Sequence, residues 1–231
     1  MIRMGIPAQL NHIPAFQHLD GAALTALLSL SRLQSLKVGD VLLYQGDLMQ
    51  SFYIIQAGAV RLLHYTEDGQ RMALKIYGTG DVFGLLAISG SYPHPTQIEA
   101  IQDSLIIAMD GQDARALLLD YPALALMVID LLTAHVHEGH ERVRHMGSRR
   151  VDQRLAQSLI ILCAKFGKPN EQGILIDLSM TQRDLAEFTG TTVETINRTL
   201  TLWEKQGWLI CSHKRLEILD HQALADLAEN P

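Results

Sequence analysis

Two side chains in the C-terminal third, Glu194 and Arg198, have the chemistry and the spacing to read the edges of base pairs. Four residues apart, they share one face of a helix. An arginine there donates two parallel bonds to O6 and N7 of a guanine, and a carboxylate accepts from N4 of a cytosine. The same pair equally describes an exposed i,i+4 ion pair of the kind found on many helices. The choice depends on the elements that hold them.

Those elements are legible from Thr181 to Arg198. Thr181 and, three residues on, Asp184 have the pattern of a capping box with a short acid in the second position. Leu185 and Phe188 give the first helix an apolar face, small Ala186 permits close approach of a second helix, and Gly190 permits a tight turn. Thr191 or Thr192 then caps a helix whose apolar residues Val193, Ile196, Leu200 and Trp203 recur at helical spacing. This is a helix-turn-helix, with Glu194 and Arg198 near the end of the second helix that meets a major groove. Beyond Gln206-Gly207, the runs Trp208–Ser212 and Arg215–Leu219 flank a polar turn at His213-Lys214 and predict a hairpin, hence a winged helix-turn-helix. Lys214 and Arg215 either graze a phosphate or form an ordinary solvated turn.

Upstream of residue 150 the pattern changes. Short strand-like runs at Val41–Tyr44, Phe52–Gln56, Ala59–Tyr65, Arg71–Tyr77 and Ile98–Met109 alternate with Gly-Asp turns at 39–40, 46–47 and 80–81. That spacing predicts a β-barrel or sandwich, preceded by a helix near Gly21–Leu30. Pro122 opens a long helix to about Met146, on which Val128, Leu132, Val136, Gly139, Val143 and Met146 form a near-heptad stripe. A narrow stripe of that period suits a two-stranded coiled coil, and a helix-turn-helix usually reads a two-fold operator; the alternative is a helix buried on its own domain. Gly147-Ser148 has the composition of a hinge. The resulting class is α+β, with segments at 1–121 (barrel), 122–148 (dimerisation helix and hinge) and 149–231 (winged helix-turn-helix).

The 231 residues suffice for one or two domains with real cores, and 48% apolar with 19% charged residues fits a globular chain. A formal charge of −6 argues against a protein that coats nucleic acid by bulk electrostatics, while a site-specific binder needs only a local positive face. No apolar run reaches membrane-spanning length, and the N-terminus lacks a signal-peptide pattern, so no membrane partner and a cytoplasmic location are expected. Cys163 and Cys211 are too far apart for a metal knuckle and make no disulfide framework.

Taken together, the whole chain resembles the CRP/FNR superfamily of bacterial transcription regulators. The resemblance rests on Gly39-Asp40 through Gly46-Asp47, on the run Phe52–Val60, on Gly80-Asp81-Val82-Phe83-Gly84 and on the helix-turn-helix. It implies a cyclic-nucleotide-binding-like β-barrel (jelly roll), a long dimerisation helix and a C-terminal winged helix, acting as a homodimer on double-stranded DNA. Glu194 and Arg198 then fall on the residues that read the half-site, and Val193 sits where cyclic-AMP receptors carry another base-contacting arginine. The string Val193-Glu194-Thr195-Ile196-Asn197-Arg198 resembles the FNR branch, which has Ser at the place of Asn197. The resemblance implies half-sites with a TTGA core, Val193 against a thymine methyl, and phosphate contacts from Thr181, Gln182, Thr191 and Thr192. The Thr66-Glu67-Asp68-Gly69 turn matches a surface that can touch RNA polymerase, although acidic turns are commonly just solvated.

The same resemblance places an effector pocket at Gly84, Leu85, Leu86, Pro95, Thr96, Gly139 and His140. A cyclic-nucleotide receptor carries a glutamate after Gly84 and an arginine before the small hydroxyl residue. Leu85 and Pro95 stand there instead. A buried cyclic phosphate would lack its cation, which argues against cyclic AMP. A 4Fe-4S cluster needs four thiolates, and the chain has two cysteines. Some relatives without the phosphate cassette bind haem and sense NO or CO, which makes His140 or His94 a conceivable axial ligand; the scattered His64, His135, His137 and His145 are equally read as solvated or hydrogen-bonded residues. Leu85, Leu86 and Ile88 also suit an apolar effector, or none. A ligand-binding or enzymatic module with an appended helix-turn-helix is the remaining alternative. The sequence offers it no nucleophile–base–acid set or phosphate loop, and no metal site is expected.

Overall fold

In a computed structural model of the chain, the described residues are 13, 16, 17, 19–148, 150–212 and 215–229, with only the backbone described over 142–148. They form two units. One comprises residues 1–65 and 75–139, the other residues 66–74 and 140–231.

The first unit opens with helix α1 (Gly21–Ser29), capped by Asp20, whose carboxylate accepts from the Ala23 amide at 2.7 Å. Strands β1 (Ser31–Leu36), β2 (Val41–Leu43), β3 (Leu48–Met49), β4 (Ser51–Ala57), β5 (Ala59–Tyr65), β6 (Arg71–Gly78), β7 (Val82–Phe83), β8 (Tyr92–Pro93), β9 (Gln97–Ala100) and β10 (Ser104–Asp110) follow. They build two four-stranded sheets, ordered β1-β10-β4-β7 and β2-β9-β5-β6, and the small pair β3-β8. The period of two along each strand decides what is buried where. Tyr53, Ile55, Ile106 and Ala108 of the first sheet meet Val60, Tyr77, Ile98 and Ala100 of the second in one core. Their neighbours Phe52, Ile54, Ile107 and Met109 point the other way, onto α1, helix α2 (Gly111–Asp120) and helix α3 (Pro122–Ser148).

The expected strand at Ile98–Met109 is two strands. Residues 101–103 turn back on Ala59, whose carbonyl accepts from the amides of Ile101 (2.9 Å) and Gln102 (3.3 Å), while Ser104 Oγ takes the Ala59 amide at 3.1 Å. The polar triplet Gln102-Asp103-Ser104 inside the run marks the turn, without a glycine or proline to announce it. Helix α2, capped by Asp110, was not identified from sequence.

Helix α3 spans the expected range with Pro at its first position, where the missing N–H is harmless. Its stripe divides. Val128 is 8% exposed in the core of its own unit and Leu132 packs partly against that core, whereas Val136 is exposed. Gly139 is exposed too. The side chains of Val143 and Met146 lie outside the described residues. Among the described residues, the large apolar side chains that α3 leaves in solvent are Leu126 (64% exposed), Ile129 (56%) and Val136 (56%). Val128 and Val136 lie about 80° apart around the helix, so one edge of the stripe can face the core while the other faces solvent.

The second unit contains α4 (Val151–Phe166), a short hairpin of β11 (Gly167–Pro169) and β12 (Ile174–Ile176), α5 (Gln182–Thr189), α6 (Val193–Lys205), β13 (Leu209–Ser212), β14 (Arg215–Ile218) and α7 (His221–Glu229). Its sheet runs β11-β12-β14-β13. The hairpin read at 208–219 is β13-β14, pairing Leu209 with Ile218 and Ser212 with Arg215. Its tip, including Lys214, lies outside the described residues. Leu155, Leu159, Leu162, Leu185, Ile196, Leu200 and Trp203 are buried.

Candidate nucleic-acid interface and sensor site

The helix-turn-helix is built from backbone satisfaction at each end. Thr181 caps α5: its Oγ1 accepts from the Asp184 amide at 3.1 Å and its amide donates to Asp184 Oδ2 at 2.7 Å, the reciprocal box expected from sequence. Gly190 ends α5 in the left-handed region at φ 66°, a conformation glycine adopts without a Cβ penalty. Of the two threonines that follow, Thr192 is the cap of α6, with its Oγ1 accepting from the Thr195 amide at 3.2 Å. Ile196, Leu200 and Trp203 seat α6 in the core, and this fixes which residues turn outward.

Those residues are Val193, Glu194, Asn197 and Arg198, all exposed on the first turns of α6. Among the described residues Glu194 and Arg198 form no ion pair with each other or with any third group. The i,i+4 pair reading therefore does not describe this helix, and both side chains keep their hydrogen-bonding capacity for a partner. Gln182 and Thr191 are half-buried beside the two caps. Thr181 and Thr192 spend their hydroxyls on capping.

Glu187 faces inward on α5 with 8% side-chain exposure and takes Arg71 through two bonds, Nε to Oε1 at 3.1 Å and Nη2 to Oε2 at 2.9 Å. Arg183, one turn earlier, adds a third bond at 3.2 Å. A carboxylate this buried requires such partners. Residues 66–74, which include Arg71, group with this unit.

In the barrel, Gly84 precedes a 3₁₀ turn (Leu85–Ile88), and a Cβ on it would lie 3.1 Å from the Ser51 carbonyl and 3.2 Å from Met49 Sδ. Leu85, which the resemblance aligns with a cyclic-nucleotide receptor's glutamate, is an apolar core residue at 3% exposure, while Leu86 is 56% exposed. Pro95 is exposed and Thr96 buried. The two segments flank β3, because Leu48 and Met49 pair with Pro93 and Tyr92. His94 is held by its Nδ1, 2.5 Å from the Thr96 carbonyl, and burial pulls its pKa below the ordinary value. His64 Nδ1 lies 3.1 Å from the Pro95 carbonyl. Gly139 and His140 are exposed on α3, and His140 falls in the other unit. Among the described residues there is no group of three or more metal-ligating side chains. Burial pushes the Cys163 thiol up to about 11, which keeps it a thiol at neutral pH.

Sequence reasoning did not find one cluster. Tyr53, Phe83 and Tyr77 stack through the barrel interior, with centroids 5.1 and 5.0 Å apart. His135 of α3 meets the Tyr77 ring edge-on at 6.2 Å. Lys75 lies 4.8 Å over the same ring and pairs with Glu138 of α3. The available signal was an i,i+2 pair on a strand (Lys75, Tyr77) matching an i,i+3 pair on a helix (His135, Glu138), and nothing in either segment alone announces the other.

Comparison with known proteins extends these observations. Residues 33–121 match the cyclic nucleotide-binding domain, and residues 153–227 match the Crp-like helix-turn-helix domain. The chain is 27% identical over 199 residues to the fumarate and nitrate reduction regulatory protein of Escherichia coli K12, covering 86% of this chain and 79% of that one. It is 25% identical over 210 residues to a CRP-like cAMP-activated global transcriptional regulator of Mycobacterium tuberculosis, covering 91% and 94%. Among solved structures, FixK2 from Bradyrhizobium japonicum superposes with a TM-score of 0.78 over 87% of this chain and 98% of that one at 21% identity, a likeness of fold.

Proposed function

We propose that this chain, which belongs to the CRP/FNR family of DNA-binding transcription regulators, reads an inverted repeat of TTGA-type half-sites as a homodimer. The observation that carries this is the pair Glu194 and Arg198, exposed on the first turns of α6 and engaged with no other side chain among the described residues. Arg198 supplies the two-pronged contact to guanine, Glu194 accepts from cytosine, and Val193 packs on a thymine methyl. Asn197, one helical turn after Val193, reaches an adjacent edge. Gln182 and Thr191, with the capped helix ends at Thr181 and Thr192, supply phosphate contacts that fix register. The dimer forms along α3 through its solvent-facing Leu126, Ile129 and Val136. Such a protein works in the cytoplasm, and its Thr66–Gly69 turn is the surface we assign to RNA polymerase.

The cyclic nucleotide-binding domain points to a small-molecule effector. Leu85 and Pro95 argue that the effector is not a cyclic nucleotide, because neither offers a partner for a ribose hydroxyl or a phosphate. The stacked Tyr53, Phe83 and Tyr77 of the barrel interior favour an apolar or aromatic compound. Titration with cyclic AMP should leave the thermal midpoint and the operator affinity unchanged; an upward shift that saturates would contradict this. Haem-based sensing of NO or CO is the second reading, resting on His94, whose Nδ1 lies against the Thr96 carbonyl and would leave Nε2 as the nitrogen for an axial bond. Protein purified from haem-supplied cells would then show a Soret band, and its absence would dismiss that reading.

A further inference from the structure

We propose that Arg154 is a positioning residue for DNA reading: it clamps the turn between α5 and α6 and so sets the attitude of the recognition helix. Arg154 lies on α4, 35 residues from that turn, and its guanidinium donates from Nε to the Thr189 carbonyl at 3.1 Å and from Nη2 to the Gly190 carbonyl at 3.4 Å. Both acceptors belong to the C-terminal end of α5, where carbonyls have no intrahelical partner and the helix dipole is negative. A planar two-pronged cation is the group that satisfies two adjacent carbonyls at once.

A Cβ built on Gly190 meets nothing within 4 Å, so the turn residue itself is open on that side. The amides of Gly190 and Thr191 both donate to the Ala186 carbonyl, and the Thr189 hydroxyl donates to the Leu185 carbonyl at 2.7 Å. Those bonds are local to the end of α5; the core contacts of Ile196, Leu200 and Trp203 seat α6, and Arg154 adds the tie from outside the two helices that sets its final attitude. Arg154 ties the junction to α4, whose own residues Leu155, Ala156 and Leu159 are fully buried. The direction of departure decides whether Arg198, six residues past Thr192, reaches a guanine or misses it, and an error of about 1 Å at such a contact is enough to abolish it.

This inference rests on the reading of Arg198 as a base-reading residue, and the test separates the two. Full-length protein, wild type and the variants Arg154→Ala, Arg154→Lys and Arg198→Ala, is titrated onto a duplex that the wild type has selected from a random pool, and onto a scrambled duplex, across a range of salt. Arg154→Ala should weaken operator binding roughly tenfold, leave scrambled-duplex binding unchanged and keep the salt slope of the wild type. Arg154→Lys, which can hold one carbonyl but not both, should fall between the two and serves if the alanine variant fails to fold. A parallel loss on both duplexes with the salt slope reduced by about one would make Arg154 a phosphate contact. Unchanged operator preference in both Arg154 variants would overturn the inference as well. Loss of preference in Arg198→Ala alone would sink the Arg154 role and spare base reading, whereas preference intact in Arg198→Ala would sink base reading itself.

Discussion

At the scale of residues, function concentrates in side chains that the fold leaves unengaged. Glu194 and Arg198 share a helix face, are exposed and bond to no other group among the described residues. Replacing Arg198 by Ala should weaken operator binding by about 1–3 kcal/mol and relax discrimination at one guanine, measured on duplexes substituted one base pair at a time. A uniform loss across all sequences would show that the side chain holds a phosphate instead. His94 makes the barrel sensitive to acid. Burial holds its pKa below the ordinary 6.5, so the unfolded chain takes up a proton before the folded one does. The stability His94 contributes is therefore complete above pH 6.5 and is lost as pH falls below it. Urea unfolding between pH 7.5 and 5.5 should show a decline that is smaller in His94→Gln; equal slopes would mean that His94 titrates freely. The Thr181–Asp184 box and the shared helix of Glu194 and Arg198 were legible in the sequence because each is local, within about a turn of helix. Arg154 was not legible: its partners are two backbone carbonyls, which no side-chain pattern records.

At the scale of elements, the recognition helix depends on its cap and on the turn before it. Thr192→Ala removes the acceptor for the Thr195 amide and should destabilise the DNA-binding unit by about 1 kcal/mol. Chemical denaturation of the full chain would reveal it, and Thr192→Ser should restore most of the loss. The helix-turn-helix was legible because caps, glycine and apolar spacing all agree over 18 consecutive residues, Thr181 to Arg198. Agreement of that kind was lacking at Ile98–Met109, where only the polar triplet Gln102-Asp103-Ser104, with no glycine or proline, signals the turn that Ala59 enforces. Helix α3 shows a third situation. Its length could be read, but its stripe mixed Val128, which serves its own core, with Val136, which does not. Periodicity counts apolar residues without saying which neighbour buries each one.

At the scale of the whole molecule, two demands meet on α3: one face closes the barrel unit and another carries Leu126, Ile129 and Val136 in solvent. A paired charge there should prevent association. Ile129→Glu, together with Val136→Glu, should convert a dimer to a monomer in sedimentation while leaving the barrel folded, and a dimer that survives would place the interface elsewhere. A monomer would touch one half-site and lose most of its affinity, since an inverted repeat gains from two linked contacts. The central claim is that Glu194 and Arg198 act twice, once per subunit, on a palindrome. Selection of binding sites from a random duplex pool, followed by footprinting of the winners, tests it most directly. Protection of an inverted repeat with half-sites whose centres are about one helical turn apart is expected, with loss of the selected guanine in Arg198→Ala. Protection without sequence preference, with or without added ligand, would contradict it.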